Sequence, residues 1–408
     1  MFAIMVNMEE SFSWKSIFFG VFFSLLVLAV AYWLIAPRDY TFFTQDKSDR
    51  LAEFHQTRVV GRQDGQTVWE LNAGSGWTDK AQEITYLTDV RQGKLYNKKG
   101  QLVLHGLRAP SARAWRHSEI VEATGGVNAY LDIGKFTREP KKEADWLRMT
   151  GAVIKYLPAE KRSELAGKIT LAQHDSVIRA GRVAIDHERK SANLQGNIRL
   201  TRRDSDIVAE TLEYFGETEA LKAAGRITLR LKESRTRTLI KCDRADLSVD
   251  LDRDIDLAGN VEVTQGKKLS LAGAGTYSRR RQQLLLRDGT RTVLEKAANE
   301  IKPETARQLD SPEQKRLLRQ KTVIAAREMV FSLKTGDARA TGSVEVTQQG
   351  REARSDSAFY DDKLETLALS GNVYLKRGEE WLSCRQVIIS VKNETFEARG
   401  VQEAKFNL

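Results

Sequence analysis

Apolar and polar residues alternate through the carboxy-terminal two thirds of this chain, and the alternation predicts β-strands. In the segment 344–347, Val344 and Val346 point to one side and Glu345 to the other, which is the period of two expected of a strand. Val, Ile and Thr are frequent in such segments, and β-branched residues suit a pleated surface. The pattern therefore predicts an all-β body.

A glycine precedes many of these segments at a fixed interval, and we expect each glycine to begin a strand. The interval is 29 residues from Gly167 to Gly196 to Gly225, and again from Gly342 to Gly371. A small residue sixteen positions before a glycine is expected to open another strand, as at Ala180, Ala209, Ala326, Ser355 and Cys384. A fixed-period unit indicates a stacked array in which neighbours bury each other's apolar sides. Each unit is predicted to hold about three short strands.

Two longer intervals, from Gly225 to Gly259 and from Gly259 to Gly342, interrupt the rhythm. The second contains a polar, helix-prone stretch with two prolines, residues 295–321, which we interpret as an insertion or linker. No proline lies between residues 159 and 302 or after 312. This is expected of paired strands, because proline lacks the backbone N–H that the hydrogen bonds between strands need. Polar hairpin turns are predicted at 334–336, 361–363 and 392–394.

Residues 46–157 are also strand-like, although their pattern is less regular. Strands are predicted at 68–73, 84–90 and 102–105, and the charged stretch 137–145 is predicted to be a loop. Segments 126–131 and 151–156 each follow a glycine and echo the repeat faintly.

Near the amino terminus, an uncharged apolar run of 19 residues, Ile17–Ile35, has the length of a membrane-spanning helix. Trp14 and Lys15 precede it, and Trp33 and Arg38 lie at its far end, as expected of interfacial anchors. A cleaved signal peptide is the alternative, because residues 29–31 form a small-x-small pattern. We favour a retained anchor because the apolar run continues past that pattern. Charges flanking the run give almost no positive-inside bias.

Composition narrows the possible functions. With 408 residues, 29% charged and 41% hydrophobic, the chain is not a polytopic membrane protein. Two cysteines exclude a disulfide framework, five scattered histidines argue against a metal site, and no cofactor is expected. Neither a nucleotide-binding glycine loop nor a Ser, His and Asp grouping stands out, so we predict that the protein is not an enzyme.

The formal net charge of +10 suits an anionic partner such as a phosphorylated lipid. Basic clusters lie at 202–203, 267–268 and 279–281, although a solvated face is the simpler interpretation. Nucleic acid is not expected, because no reading motif is present. The acidic run 250–256 lacks the glycine and distal glutamate of a calcium loop and is interpreted as a hairpin turn. Cys242 and Cys384 are interpreted as buried small residues.

Two stretches carry a family resemblance. Residues 54–90, with Val68-Trp-Glu-Leu-Asn-Ala73 and Tyr86-Leu-Thr-Asp-Val90, are similar to the start of an LptC-type domain, and residues 357–373 are similar to an OstA-type repeat. With the apolar run, the chain resembles the LptC/LptA (OstA-like) family of lipopolysaccharide-export periplasmic bridge proteins. The resemblance implies one transmembrane helix followed by an antiparallel β-jellyroll, a folded open sheet with an apolar groove for acyl chains.

The resemblance also implies a place and a set of partners. The protein would be a single-pass inner-membrane protein with its carboxy-terminal body in the periplasm. It would bind lipopolysaccharide, dock to an inner-membrane ABC transporter complex, and pair its edge strands with other β-jellyroll proteins. Because this chain is about twice the usual length, an LptC-like part fused to an LptA-like part is expected.

The expected organisation has six segments. They are a short cytoplasmic tail at 1–14, a transmembrane helix at 15–36, an LptC-like part at 46–160, OstA-like repeats at 161–294, the linker at 295–321, and OstA-like repeats at 322–408.

The candidate lipid-binding positions are the apolar residues that follow the repeat glycines and face one side. They are Ile198, Leu200, Ile227, Leu229, Val261, Val263, Val344, Val346, Val373 and Leu375. A dry structural core is the alternative for these residues. Three strands per unit in two sheets would give about 7 Å per repeat and about 50 Å for seven repeats. The rival hypothesis is a carbohydrate-active or adhesin-like parallel β-helix, which would present charged residues at one matching position of each coil.

Overall fold

The structure is a computed structural model, and it describes residues 49–97, 99–132, 146–173, 176–232, 237–248, 253–266, 268–295, 321–348, 350–390 and 395–406. The predicted tail, transmembrane helix and loop at 137–145 lie outside these ranges, as do the turn at 392–394 and all but the ends of the linker. Among the described residues, no helix has both the length and the apolar character needed to cross a bilayer.

Every described strand pairs antiparallel with its neighbours in sequence, so the chain forms a meander of 21 strands over the described ranges. The first eleven are β1 (Arg50–Gln63), β2 (Gln66–Asp79), β3 (Ile84–Tyr96), β4 (Leu102–Trp115), β5 (Val121–Leu131), β6 (Leu147–Leu157), β7 (Arg162–Gln173), β8 (Ser176–Asp186), β9 (Ser191–Thr201), β10 (Ser205–Phe215) and β11 (Ala220–Leu231). The others are β12 (Thr238–Ser248), β13 (Ile255–Gln265), β14 (Lys268–Ser278), β15 (Gln283–Glu295), β16 (Lys321–Ser332), β17 (Ala338–Gln348), β18 (Arg351–Asp361), β19 (Thr366–Arg377), β20 (Glu380–Ser390) and β21 (Thr395–Lys405).

The all-β, antiparallel, open-sheet prediction is confirmed for the described residues, and a parallel β-helix is excluded there. The three strands predicted upstream of residue 160 are present and longer than predicted, and the two segments that echo the repeat, 126–131 and 151–156, lie in β5 and β6. The sheet runs without a break from β6 to β7, where the two parts of the chain were expected to meet. It also continues from β15 to β16, the strands on either side of the linker.

The repeat glycines lie in the middle of strands, so the prediction that they begin strands was wrong. In β9, Gly196 and Asn197 both have positive φ, 81° and 50°, and the register with β10 shifts at this point. The same pair of left-handed residues occurs at Gly225–Arg226 in β11 and Gly371–Asn372 in β19. A bulge of this kind bends a strand and increases its twist. Each glycine therefore marks a bend rather than a boundary.

Each 29-residue unit contains two long strands, not three short ones. Gly167, Gly196 and Gly225 lie in β7, β9 and β11, so one period spans a strand, a turn and the returning strand. The small residues lie mid-strand on the returning strands and do not open them. Ala209 of β10, for example, lies opposite Ile198 of β9.

The long interval between Gly259 and Gly342 conceals one further bend. In β15, Asp288 and Gly289 have φ of 65° and 78°, so this strand bends as β13 and β17 do, but with the glycine second rather than first. Of the two faint echoes upstream, Gly126 lies at a bend in β5 with φ of 103°, whereas Gly151 in β6 has no positive φ. The bend therefore tolerates different residues, and a search for Gly followed by an apolar segment misses some bends.

Pro110 lies inside β4, although the prolines were expected to avoid strands. The register between β4 and β5 shifts between Arg108 and Ser111, so Pro110 falls in an irregular stretch. Proline is tolerated at such a bulge because the ladder there does not need its missing N–H.

Contacts between the two long edges show that the sheet is folded over along the line of bends. We call the turns after odd-numbered strands the first rim and those after even-numbered strands the second rim. Eleven residues of flat strand would hold the rims about 35 Å apart. Yet Tyr156, at the end of β6, donates to the carbonyl oxygen of Tyr96, at the end of β3, over 2.6 Å. The two halves of each strand therefore face each other across an interior.

The bend makes a clear prediction for Gly196. An alanine Cβ there would meet no atom closer than 3.5 Å, so Gly196→Ala tests the left-handed conformation without a steric clash. We expect it to lower the free energy of unfolding by about 1–2 kcal/mol, measured by urea denaturation of the full chain. Gly151→Ala, whose Cβ would meet nothing closer than 3.6 Å at ordinary φ, is the control and should change stability by less than about 0.5 kcal/mol. Equal effects would contradict the bend.

Candidate functional site

The interior holds nine of the ten predicted lipid-binding residues, and the tenth lies at its margin. Each of the nine is at most 4% exposed, and Leu375 is half-buried. They belong to the second halves of β9, β11, β13, β17 and β19, so the structure places them side by side along one face. This arrangement is a continuous apolar surface across successive strands, with the chain's own side chains filling the interior.

Large and small residues alternate across this face. Ile227 lies opposite Cys242, Val344 opposite Ser355, and Val373 opposite Cys384. Close to a bend, the two halves of the sheet leave little room, so a large side chain on one strand needs a small one on the next. Both cysteines are buried and free, as interpreted from their small size. Burial raises the pKa of the Cys242 thiol to about 11, so it stays protonated and unreactive.

Polar contacts close the interior where the rims meet. Trp69 of β2 donates its indole N–H to the carbonyl oxygen of Glu119, which follows β4, over 2.8 Å. Lys268, at the start of β14, pairs with Asp362 on the second rim, with 2.6 Å between Nζ and Oδ1. The same ammonium donates to the carbonyl oxygen of Gly336.

These rim contacts share a stagger. Each first-rim residue contacts a second-rim residue that lies further along the chain, from the Trp69–Glu119 contact to Lys268 with Asp362. When a twisted sheet folds over on itself, its two edges meet with an offset of this kind along the sheet. Closing a β-barrel requires a similar stagger between its strands. The rims therefore contact each other at discrete points, and we call these contacts clasps.

One cavity of about 330 Å³ lies between the rims near the amino-terminal end of the sheet. Its walls combine apolar surface with polar and basic side chains, and the latter include Asn97, Lys99 and Gln101 from the first rim and Lys161, Glu188 and Lys190 from the second rim. Lys161 and Glu188 form an ion pair across two neighbouring turns.

A Ser–His pair, which sequence reasoning missed, lies beside this cavity. Ser163 Oγ and His187 Nε2 are 2.7 Å apart, and Ser163 is completely buried. Burial lowers the pKa of His187 to about 4, opposed by the nearby Asp186 carboxylate, so the imidazole is neutral near pH 7. Because no surface of Ser163 is open to a substrate, the pair acts as a hydrogen bond within the fold. No sequence spacing would have revealed it, since the two residues are 24 positions apart on neighbouring turns.

The basic clusters at 202–203 and 279–281, predicted to be solvated, are partly buried and lie together. Arg279, after β14, pairs with Asp204, after β9, with 2.8 Å between Nε and Oδ2. Arg202 is only 3% exposed, whereas its neighbour Arg203 is exposed. The solvated interpretation was therefore wrong for Arg202 and Arg279, because folding the sheet brings the two turns together.

Comparisons with known proteins give a likeness among solved structures but none among family models or curated proteins. A scan against protein-family models finds no match, and a search of curated proteins finds none either. Among solved structures, the chain is similar to LptH from Pseudomonas aeruginosa, described as the LptA homologous periplasmic component of the conserved lipopolysaccharide transport device. The identity is 13%, the match covers 34% of this chain and 85% of that chain, and the TM-score is 0.27. A likeness of this extent is too slight to assign fold or function.

The Lys268–Asp362 clasp can be tested by substitution. Asp362→Ala leaves the nearly buried Lys268 ammonium without its carboxylate, so we expect the free energy of unfolding to fall by about 2–3 kcal/mol. This is less than the cost of breaking a fully buried ion pair, because Asp362 is partly exposed. Lys268→Met in the same background should recover most of the lost stability. Glu345→Ala, which breaks the exposed pair with Arg354, is the control and should cost less than about 1 kcal/mol. Urea denaturation measures all four proteins, and an equal loss in the control would contradict the clasp.

His187 makes a prediction about pH. Its folded pKa of about 4 lies below the usual value of 6.5, so the unfolded chain binds the proton first as pH falls. The stability that the neutral imidazole contributes is full above pH 6.5 and is lost progressively down to about pH 4, by on the order of 3 kcal/mol. His187→Gln keeps a hydrogen-bonding partner for Ser163 but does not titrate. The difference in unfolding free energy between wild type and variant should therefore shrink over this range, and a constant difference would be inconsistent with a buried neutral imidazole.

Proposed function

We propose that this protein is a non-enzymatic bridge that carries lipopolysaccharide across the periplasm, from the inner to the outer membrane. The observation that carries the proposal is the continuous apolar interior of one long, folded, open sheet. Its positions repeat from strand to strand, so an acyl chain would meet near-identical surroundings at each step. A single deep pocket would instead hold its cargo in place.

The energetics favour sliding over trapping. Each buried methylene contributes about 0.8 kcal/mol, so an acyl chain gains several kcal/mol by leaving water. Apolar side chains that part to admit it exchange one apolar contact for another, which offsets part of the cost of opening a packed interior. Because neighbouring sites have nearly equal affinity, net direction must come from a partner that spends ATP. An inner-membrane ABC transporter complex is the proposed partner, with the residues at 15–36 as a membrane anchor and the body in the periplasm.

The length of the sheet supports a bridging role more strongly than the sequence estimate did. Two strands per repeat in one sheet add about 10 Å, and 21 strands at about 4.8 Å spacing give on the order of 100 Å along the sheet. The earlier figure of about 50 Å assumed three strands divided between two sheets. An LptC-like start and LptA-like continuation in one chain remain part of the proposal, as does the border near residue 160.

The end of the sheet offers a docking edge. Among the described residues, β21 pairs only with β20, and Val401 on β21 and Phe406 just beyond it are more than half exposed. Unpaired backbone groups on such an edge can add a strand from another protein. We propose that another β-jellyroll protein joins there and continues the apolar interior.

Site-specific crosslinking tests the conduit. A photo-crosslinking residue at Val346 or Val373, both buried in the interior, should capture lipopolysaccharide in cells, and capture should rise with ATP supply. The same residue at Arg354, which is exposed on β18, is the matched control and should capture little lipid. Crosslinks from the interior positions to protein alone, with no lipid, would contradict the proposal.

A further inference from the structure

A buried cation lacks part of its hydrogen bonding where the rims meet between β9 and β14. Arg202 directly follows β9 and is only 3% exposed, yet its Nε and Nη1 atoms have no hydrogen-bond partner among the described residues. Arg279 reaches the same place from the second rim and pairs with Asp204. Burying a guanidinium without partners is costly, so natural structures usually supply them.

The neighbouring carboxylates are already engaged. Asp204 forms an ion pair with Arg279, and Asp206 forms one with Lys232 over 2.8 Å. Lys232 also donates to the backbone carbonyl oxygen of Arg202 over 2.9 Å, which brings a third cation close. Each of these two carboxylates therefore already has a cation partner other than Arg202.

Arg202 nevertheless keeps its proton at neutral pH. Burial and, to a smaller extent, the nearby Arg279 lower the pKa of Arg202 to about 10, while the Asp204 carboxylate opposes the shift. A charged guanidinium at this position therefore calls for an anion from outside the described chain.

We propose that Arg202 and Arg279 form a binding site for a phosphate group. Phosphate carries between one and two negative charges near pH 7 and has several acceptor oxygens, so it can face two guanidinium groups that otherwise repel each other. Guanidinium forks match phosphate geometry better than ammonium groups do. A carboxylate would supply only one charge and two oxygens.

The site's position identifies the kind of phosphate that it would meet. Leu200, two residues before Arg202 on β9, is buried in the interior, so the same strand carries an apolar position and then the anion site at the rim. A phosphorylated lipid could place its chains inside and its phosphate between the rims. This identification of the source rests on the proposed function, whereas the anion site itself does not.

Binding to matched probes tests the site with the full-length chain in a non-ionic detergent. The probes are inorganic phosphate, lipid A, and lipid A with its phosphates removed. Arg202→Met removes the buried charge, and Arg203→Met removes the exposed charge next to it as the control. Arg202→Lys keeps the charge but loses the fork, and it serves if the methionine variant does not fold.

We expect Arg202→Met to bind lipid A about tenfold more weakly than wild type, and Arg203→Met to bind it within about twofold. Dephosphorylated lipid should bind all variants equally. Inorganic phosphate should raise the thermal unfolding midpoint of wild type but not of Arg202→Met. Without phosphate, Arg202→Met should be at least as stable as wild type, because it removes an unpaired buried charge.

The outcomes separate the two proposals. If phosphate stabilises wild type through Arg202 but lipid A binds equally well with and without its phosphates, the site binds a free anion and not the lipid. If lipid is captured at Val346 while Arg202→Met and Arg203→Met bind every probe alike, the conduit stands and the anion site is refuted. If phosphate binds through Arg202 and no lipid is captured, the anion site stands and the conduit is refuted.

Discussion

The left-handed bend in the middle of alternate strands is the constraint on which the rest of this structure depends. Two successive residues with positive φ turn a strand sharply, and glycine removes the Cβ that would oppose this conformation at one of them. Because the bends occur at equivalent places in alternate strands, they line up across the sheet. A flat meander of 21 strands would expose both faces, whereas the aligned bends fold one face inwards.

Folding the sheet produces both an apolar interior and a line of contacts between the rims. The interior is built from large aliphatic and small residues, and near the bends the two kinds lie opposite each other on neighbouring strands, as Ile198 and Ala209 do. The rims bring together residues from turns that are far apart in sequence, and some of these carry charge. Ion pairs such as Lys268 with Asp362 close the fold at discrete points, while β21 pairs only with β20 among the residues that the structure describes.

Features set by residues close together in sequence could be predicted, whereas features set by contacts between distant residues could not. The β class, the apolar face and the burial of Cys242 and Cys384 follow from local alternation and side-chain size, and the structure places them as expected. The strand boundaries were predicted wrongly. The glycines were recognised, but their role was misread, since a glycine between apolar segments can equally begin a strand or bend one. Asp288–Gly289 was missed because the glycine is second, although its backbone is left-handed like the others.

The sequence by itself determined the all-β class, the 29-residue period and the residues that face the interior, because a period of two and a regular glycine are local properties. Only the tertiary structure decided that each period is one hairpin of bent strands and that the rims meet with a stagger. It also decided that Arg202 and Arg279, 77 positions apart, share one buried site. Sequence patterns cannot contain this information, because the offset between rims depends on the twist accumulated over several strands.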